Sequence, residues 1–282
     1  NLKTLIHALF KHASMQDLLS YEMTDLAGLV VSMWRTLQGG KAQHGLVNVF
    51  NPNVEEHEWQ SPHTIVSILH SDLPFIIDSV RLTLNRLGAN IHTIFHASLA
   101  VSRNKSGQFD GFSGKGAQEL LLLIEVDRTT IASERDRIES EIRSVVQDVE
   151  RVVDDYTAIL QKTRDAISDF NTLKYPVDAS ELDEGKVFMK WLANNHFTFL
   201  AYDEYVVEGD TVKQVEGSAL GLFKKSPKRR DETIAGMSEH RRSHVFEKEL
   251  LIFSKSGHRA NVHRPAYSDY VLVKHFNDQG EV

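Results

Sequence analysis

The residues with the best physical case for binding a ligand lie in a turn that follows a short apolar strand. The strand covers residues 64–69, and Asp72-Leu73-Pro74 leads from it into a helix that begins at about Phe75. Free backbone N–H groups at the start of a helix attract anions such as an amino-acid carboxylate. A simpler interpretation stays open, in which Asp72 caps the helix, Pro74 lies in its first turn and nothing binds.

Other patterns that carry chemistry are missing from the sequence. It has no cysteine, which excludes thiol catalysis, disulfides and thiolate metal sites. Neither glycine-rich phosphate-binding loop occurs, and Gly-x-Ser-x-Gly and His-Glu-x-x-His are absent as well. His92 and His96 are four residues apart, but on a strand that spacing separates them by about 13 Å, too far for one metal ion. We therefore expect no catalytic residue, no metal and no cofactor in this chain.

Composition is that of a globular protein with about two domains. The 282 residues are 41% hydrophobic and 25% charged, and the net charge of −7 argues against nucleic acid as a partner. No run of 18 apolar residues predicts a membrane span, and we expect a cytoplasmic protein without a membrane partner. The basic run Lys224 to Arg230 is either a solvated loop, a contact with an acidic surface of the same or a neighbouring chain, or a nucleotide contact.

The elements around the Asp72 turn follow the order strand, helix, strand, strand, helix. After the first strand comes a helix with one apolar stripe, then a strand over 90–101 and a strand over 119–126 that is continuously apolar from Leu120 to Ile124. Residues 104–116 hold four glycines and predict a mobile hairpin loop. This βαββα order predicts a ferredoxin-like unit in an α+β protein.

Further elements flank this unit. Residues 1–38 predict two helices. The polar segment over 53–62 predicts an exposed Trp59. Apolar residues at alternating steps of four and three predict one helix from about Ser133 to Phe170, which either links to a second domain or pairs with a partner chain. A second antiparallel α+β domain follows, for which a PAS-like sheet is our hypothesis. Its strands are predicted at 197–207, 250–254, 259–263 and 270–276.

These observations divide the chain into four predicted parts. They are N-terminal helices over 1–43, the ferredoxin-like unit over 44–150, a connecting long helix over 151–173 and a PAS-like domain over 174–282. The chain starts inside a helical pattern and stops after Asn277 to Gly280, which predicts a hairpin turn whose partner strand is missing. We therefore expect a fragment of a longer protein, truncated within its last domain.

The turn and the strand after the first helix resemble those of ACT domains, which sense amino acids. Asp72-x-Pro74-x-Ile76-Ile77 and Leu87-Gly88-x-Asn90-Ile91 are similar to the family's Asp-x-Pro-Gly-Leu-Leu and Gly-x-Asn-Ile. The resemblance implies that the candidate effector-binding residues are Asp72, Leu73, Pro74, Phe75, Ile76, Asn90 and Ile91. Phe75 stands where the family has glycine, and its ring projects where a ligand must approach. We therefore predict that this copy is degenerate and serves packing.

A second resemblance covers nearly the whole chain. Its motifs include Met33-Trp-Arg35, Val49-Phe-Asn-Pro52, Leu73-Pro-Phe-Ile-Ile-Asp-Ser-Val-Arg81, His196-Phe-Thr-Phe-Leu-Ala-Tyr202 and Val262-His-Arg-Pro265. These resemble the N-terminal region of the large bacterial NAD-specific glutamate dehydrogenases. In that family the region is non-catalytic, carries ACT-like and PAS-like units, and precedes a distant dehydrogenase domain of an oligomeric enzyme.

The resemblance implies a regulatory and assembly region, not itself an enzyme, of a homo-oligomer that deaminates L-glutamate to 2-oxoglutarate. NAD would belong to the dehydrogenase domain outside this chain, and a small amino acid is the implied effector. One alternative is a stand-alone ACT-type amino-acid sensor that acts on another protein. Another is a hydrolase with an unrecognised site.

Because the sequence lacks a phosphate-binding loop, the chain alone should not bind NAD tightly. Calorimetric titration of the 282-residue chain with NAD should show no binding in the micromolar range. A dehydrogenase with an intact NAD site serves as the positive control. Micromolar affinity for NAD would contradict the prediction.

Overall fold

The computed structural model describes residues 1–39, 45–225 and 231–276. Two compact units divide them. The first comprises Asn1–Val149 together with Asn261–Arg264, and the second comprises Glu150–Ala260 and the described residues from Pro265 onwards. Within the described ranges we find no helix with the length and apolar character of a membrane span.

A five-stranded antiparallel sheet forms the centre of the first unit. Its strands are β1 (Leu46–Phe50), β2 (Thr64–Ser71), β3 (Ile91–Arg103), β4 (Phe109–Phe112) and β5 (Ala117–Val126). Their order across the sheet is β1-β2-β5-β3-β4. Strands β2, β3 and β5, with one helix after β2 and another after β5, confirm the predicted ferredoxin-like order. The earlier strand β1 extends this sheet as the antiparallel neighbour of β2.

The helices of this unit begin at residues that the local sequence explains. They are α1 (Leu2–Phe10), α2 (Met15–Leu19), α3 (Met23–Gly39), α4 (Val54–His57), α5 (Ile76–Arg86) and the first part of the long α6 (Ala132–Thr172), whose residues from Glu150 belong to the second unit. The prediction of two helices over 1–38 was wrong, because Ser14 is extended and its Oγ accepts a hydrogen bond from the Asp17 N–H at 3.0 Å. This N-cap starts a separate short helix. The predicted long helix is confirmed and runs two residues further.

Both faces of the sheet are covered by helices. On one face Leu121 and Leu123 of β5 share a buried cluster with residues of α1 and α3. The alternate residues Leu120, Leu122 and Ile124 are also buried and point to the opposite face, because side chains alternate along a strand. On that side α5 contacts β3, and Arg86 of α5 binds Glu141 of α6 at 2.7 Å. The continuously apolar strand is therefore a central strand between two helical layers.

Side chains of α6 cover the outer edge of β1. The backbone N–H of Val49 donates to the Glu139 carboxylate at 3.1 Å, and the Arg143 guanidinium donates to the carbonyl of Val47. Arg143 also donates to Glu139, at 2.7 Å. An unpaired strand edge is a ready template for pairing with another chain, and at these two residues helix side chains occupy it instead.

The glycine-rich segment between β3 and β5 is more ordered than predicted. Instead of a simple loop it contains β4, which pairs with the end of β3. The rings of Phe109 and Phe112 lie 5.2 Å apart, and Phe109 lies 5.2 Å from Trp34 of α3. These aromatic contacts hold a partly buried strand that the glycines alone did not indicate.

The second unit contains helices α7 (Ala179–Trp191) and α8 (Glu239–Phe246) and several short strands. The strands are β6 (Ala201–Tyr202), β7 (Tyr205–Glu208), β8 (Thr211–Gln214), β9 (Leu220–Gly221), β10 (Glu232–Thr233), β11 (Leu251–Arg259) and β12 (Tyr267–Val273). Within the described residues they form three separate antiparallel sheets, ordered β10-β8-β7, β6-β9 and β11-β12. A core of Phe170, Met189, Leu192 and Leu250 supports them.

Two strand predictions in this unit were wrong. The strand expected over 197–207 is limited to β6 and β7. The strand expected over 259–263 ends at Arg259, because the Ala260 N–H donates to the Ala266 carbonyl at 2.8 Å and the chain bends between them. The PAS-like sheet and the four-part division stay predictions, and the turn expected at 277–280 lies outside the described residues.

The contact between α3 and Trp59 should require glycine at position 28. Trp59 is only 1% exposed, contrary to the prediction, and a Cβ atom on Gly28 would lie 2.3 Å from the Trp59 Cβ. Gly28→Ala should therefore lower the free energy of unfolding by about 1–3 kcal/mol, although alanine favours helices. The control is Gly39→Ala at the end of the same helix, where no atom lies within 4 Å. Urea unfolding that finds the two variants equally stable would contradict this close approach.

Candidate functional site

Asp72 binds the neighbouring strands and does not cap α5. Its backbone N–H donates to the Gln118 carbonyl at 2.9 Å, and its carboxylate accepts a hydrogen bond from the Ser98 hydroxyl at 2.5 Å. Phe75 holds the N-cap position, where no side chain accepts from the helix. The interpretation in which Asp72 caps the helix and Pro74 lies in its first turn was therefore wrong, since Pro74 precedes the helix.

Phe75 has a left-handed backbone at the start of α5. Its φ is 71°, a conformation in which an L residue with a side chain is strained. Glycine adopts this conformation freely, which gives a physical reason for glycine at the matching position of the ACT pattern. Phe75 keeps the turn geometry and adds a half-buried ring.

A late segment of the chain, Asn261–Arg264, lies against this turn as part of the same unit. The His263 ring lies 4.7 Å from the Phe75 ring, and the His263 N–H donates to the Ser79 hydroxyl of α5 at 3.1 Å. His263 itself has φ 71°. We name this segment the His263 loop. This loop lies where a strand was predicted over 259–263, and that prediction concealed the contact of His263 with Phe75. The motif Val262-His-Arg-Pro265 was the one signal of its importance in the sequence.

The candidate effector-binding residues fall into two groups at opposite ends of the sheet. Ser71 and Leu99 both pair with Glu119 of β5, whereas Thr64 and Ile91 both pair with Val126. Ser71, which leads into the turn, and Thr64, which is level with Ile91 across the sheet, are therefore seven residues apart along β2. This separation is about 23 Å. The segment Asp72 to Ile76 is contiguous, but Asn90 and Ile91 do not join it within this chain.

The far end carries a polar cluster that the sequence did not predict. The His63 and His92 rings stack at 4.2 Å, and the Asp127 carboxylate lies 2.7 Å from His92 Nε2 and accepts from the Asn90 amide at 2.5 Å. These bonds from His92 and Asn90 hold the pKa of Asp127 below its usual value. Asn90 therefore links the start of β3 to the residue that follows β5.

Glu125 lies beside this histidine pair and is buried. Its carboxylate accepts from the Tyr21 hydroxyl at 2.6 Å and the Ser61 hydroxyl at 3.3 Å, and lies 3.2 Å from His63 Nδ1. Burial, followed by the bond to Glu125, raises the pKa of the Tyr21 hydroxyl well above its ordinary value. The carboxylate is held by three neighbours, so the arrangement is that of a satisfied structural network. Among the described residues we find no group of three or more potential metal ligands.

Known proteins match this chain along almost its full length. A family model described as glutamate dehydrogenase, ACT1 domain, matches residues 5–142. That part of the chain is therefore similar to the ACT1 domain of glutamate dehydrogenases. An NAD-specific glutamate dehydrogenase from Halomonas elongata is 35% identical over 291 residues, covering 99% of this chain and 18% of its own length. One from Pseudomonas aeruginosa is 36% identical over 283 residues, covering 97% of this chain and 18% of its own.

The matches confirm the family resemblance that the sequence motifs indicated. The chain spans about a fifth of the length of these relatives. The ACT1 match includes the turn at Phe75 and the strand that follows α5, but it ends before the His263 loop. The candidate effector-binding residues of the ACT1 domain stay a prediction.

Part of the predicted basic run contacts an acidic group of its own chain. Lys224 donates to the Asp155 carboxylate at 2.7 Å, and the Gly221 N–H donates to the same carboxylate at 2.7 Å. Burial raises the pKa of Asp155, but these two partners outweigh it and the net shift is downward. Residues 226–230 lie outside the described part of the chain.

Two substitutions at Phe75 separate the effect of its ring from that of its backbone. Both Phe75→Ala and Phe75→Gly remove a half-buried ring, so each should cost less than the roughly 3–5 kcal/mol of a fully buried phenylalanine. Glycine also relieves the left-handed strain, and Phe75→Gly should be more stable than Phe75→Ala by about 1 kcal/mol. Chemical denaturation of the two variants measures the difference. The reverse order would show that the backbone at Phe75 is not left-handed in solution.

Proposed function

We propose that this chain is a regulatory and assembly region of an NAD-specific glutamate dehydrogenase and has no catalytic site of its own. The parent enzyme would oxidatively deaminate L-glutamate to 2-oxoglutarate with NAD, cytoplasmically and as a homo-oligomer. The observation that carries the proposal is the alignment of almost the whole chain with a fifth of two much longer dehydrogenases. A stand-alone sensor acting on an unrelated protein would not require such a match.

The first unit supports a regulatory role through its fold and its polar groups. ACT-like units sense small molecules, and residues 5–142 match one. The polar residues that lie closest together in this unit, such as Glu125 with Tyr21 and Ser61, bind one another and hold elements in place. Their hydrogen-bonding capacity goes into packing, which fits a folded regulatory module.

The second unit supports an assembly role through an exposed apolar surface. Val187 of α7 is 68% exposed and Phe253 of β11 is 58% exposed. The Phe188 ring connects them, 5.9 Å from Trp191 and 5.1 Å from Phe253. We name Val187, Phe188, Trp191 and Phe253 the aromatic patch. Contiguous exposed apolar groups of this kind mark protein interaction surfaces.

The aromatic patch should mediate self-association of the chain. Sedimentation at about 100 μM protein should show oligomers, and Val187→Asp should weaken association tenfold or more, which is about 1.4 kcal/mol. Leu19→Asp is the control, since Leu19 is exposed on α2 of the other unit. A strictly monomeric mass for the unchanged chain would contradict the assembly role.

Enzyme assays test the rest of the proposal. The 282-residue chain should not reduce NAD in the presence of L-glutamate, whereas the full-length protein that contains it should. Val187→Asp in the full-length protein should change its oligomeric mass. Glutamate-dependent NAD reduction by the short chain would overturn the proposal, as would a full-length protein without that activity.

A further inference from the structure

The His263 loop makes two contacts at the start of α5. The His263 backbone donates to Ser79, which is fully buried, and the His263 ring lies on Phe75. Beside His263, Val262 is only 1% exposed, although Asn261 and Arg264 of the same loop are exposed. The loop therefore presents an N–H donor and a flat ring to the start of α5, and it buries an aliphatic side chain of its own.

Two strained residues meet in this contact. Phe75 and His263 are both left-handed with φ 71°, and neither is glycine. Strained backbone of this kind persists only where the surroundings over-determine it. The ring contact therefore joins two residues whose backbones are both held in an unfavourable conformation.

The His263 ring is held by packing. Its Nδ1 is buried and has no hydrogen-bond partner among the described residues. A polar atom left in this state is costly, so the ring gains its place from contact with Phe75 and from the backbone bond to Ser79.

We propose that the turn at Phe75 is a docking site whose resident occupant is the chain's own His263 loop, and that the loop keeps free amino acids out. The occupant binds Ser79 through its N–H and covers Phe75 with its ring, so the space that a small ligand would need is filled. Because the loop is tethered to the same chain, its effective concentration is high and a free ligand competes poorly. The role of this closure in regulation rests on the proposed function, but the docking itself does not.

The variant His263→Gly tests the docking by removing the ring and nothing else that the contact needs. Glycine adopts φ 71° without strain and keeps the N–H that binds Ser79. Imidazole is the probe, because it replaces the missing ring. At millimolar concentration it should raise the melting temperature of His263→Gly saturably, by about 2 °C or more, as expected for a ligand that binds only the folded state.

The matched control is His258→Gly, which removes an imidazole from an exposed position of β11. Imidazole should not stabilise this variant or the unchanged chain. Equal stabilisation of all three proteins, or no stabilisation of His263→Gly, would overturn the proposal.

Amide hydrogen exchange gives a second readout that does not depend on thermal unfolding. In His263→Gly the amides of residues 76–80 should exchange at least tenfold faster than in the unchanged chain, and imidazole should restore part of their protection. In the control these amides should be unaffected. Unchanged exchange in His263→Gly would show that the loop does not dock on α5.

Closure of the site is tested with free amino acids on the unchanged chain. No amino acid should raise its melting temperature. A saturable rise that Asp72→Ala abolishes would show an open effector site and overturn the closure. These measurements use no dehydrogenase activity. The docking proposal can therefore be overturned while the proposed function stands, and the proposed function can be overturned while the docking stands.

Discussion

The first unit depends on the burial of β5 on both of its faces. Five consecutive apolar residues, Leu120 to Ile124, alternate between two layers, so the sheet needs helices on each side. The helices before β1 supply one layer, and α5 with the first part of α6 supplies the other. At about 1.5–3 kcal/mol for each fully buried leucine or isoleucine, this strand is a large fraction of what holds the unit together.

The same requirement fixes the position of the turn at Phe75. Strand β2 lies beside β5 along its whole length, and α5 must return across the sheet as soon as β2 ends. Only four residues, Asp72 to Phe75, connect Ser71 to the first residue of α5. A reversal this short needs one residue with positive φ, and Phe75 provides it. The strained backbone is therefore a consequence of the sheet and helix packing, and the ring on it is what distinguishes this chain from the glycine pattern.

The sequence predicted the elements whose signal repeats along the chain. The order of β2, α5, β3, β5 and α6 followed from regular apolar spacing, because each residue in such a pattern reports on the same face. Features that depend on one distant partner were missed. Trp59 stands in a polar segment yet is buried against α3, and the glycines around β4 concealed two phenylalanines that pack on Trp34. The spacing of apolar residues along a short segment contains no information on contacts with residues that are distant in sequence.

The candidate site shows the same division. The residues Asp72 to Ile76 of the candidate site form one turn because they are adjacent in sequence, and whether they bind an effector stays a prediction. The motif could not indicate that Asn90 and Ile91 lie at the other end of a strand, since their distance from the turn is set by the length of α5 and the register of β3. It also could not indicate that His263, 188 residues after Phe75, lies on its ring. The phenylalanine at the family's glycine position is visible in the sequence, whereas the contact between its ring and the His263 ring is visible only in the structure.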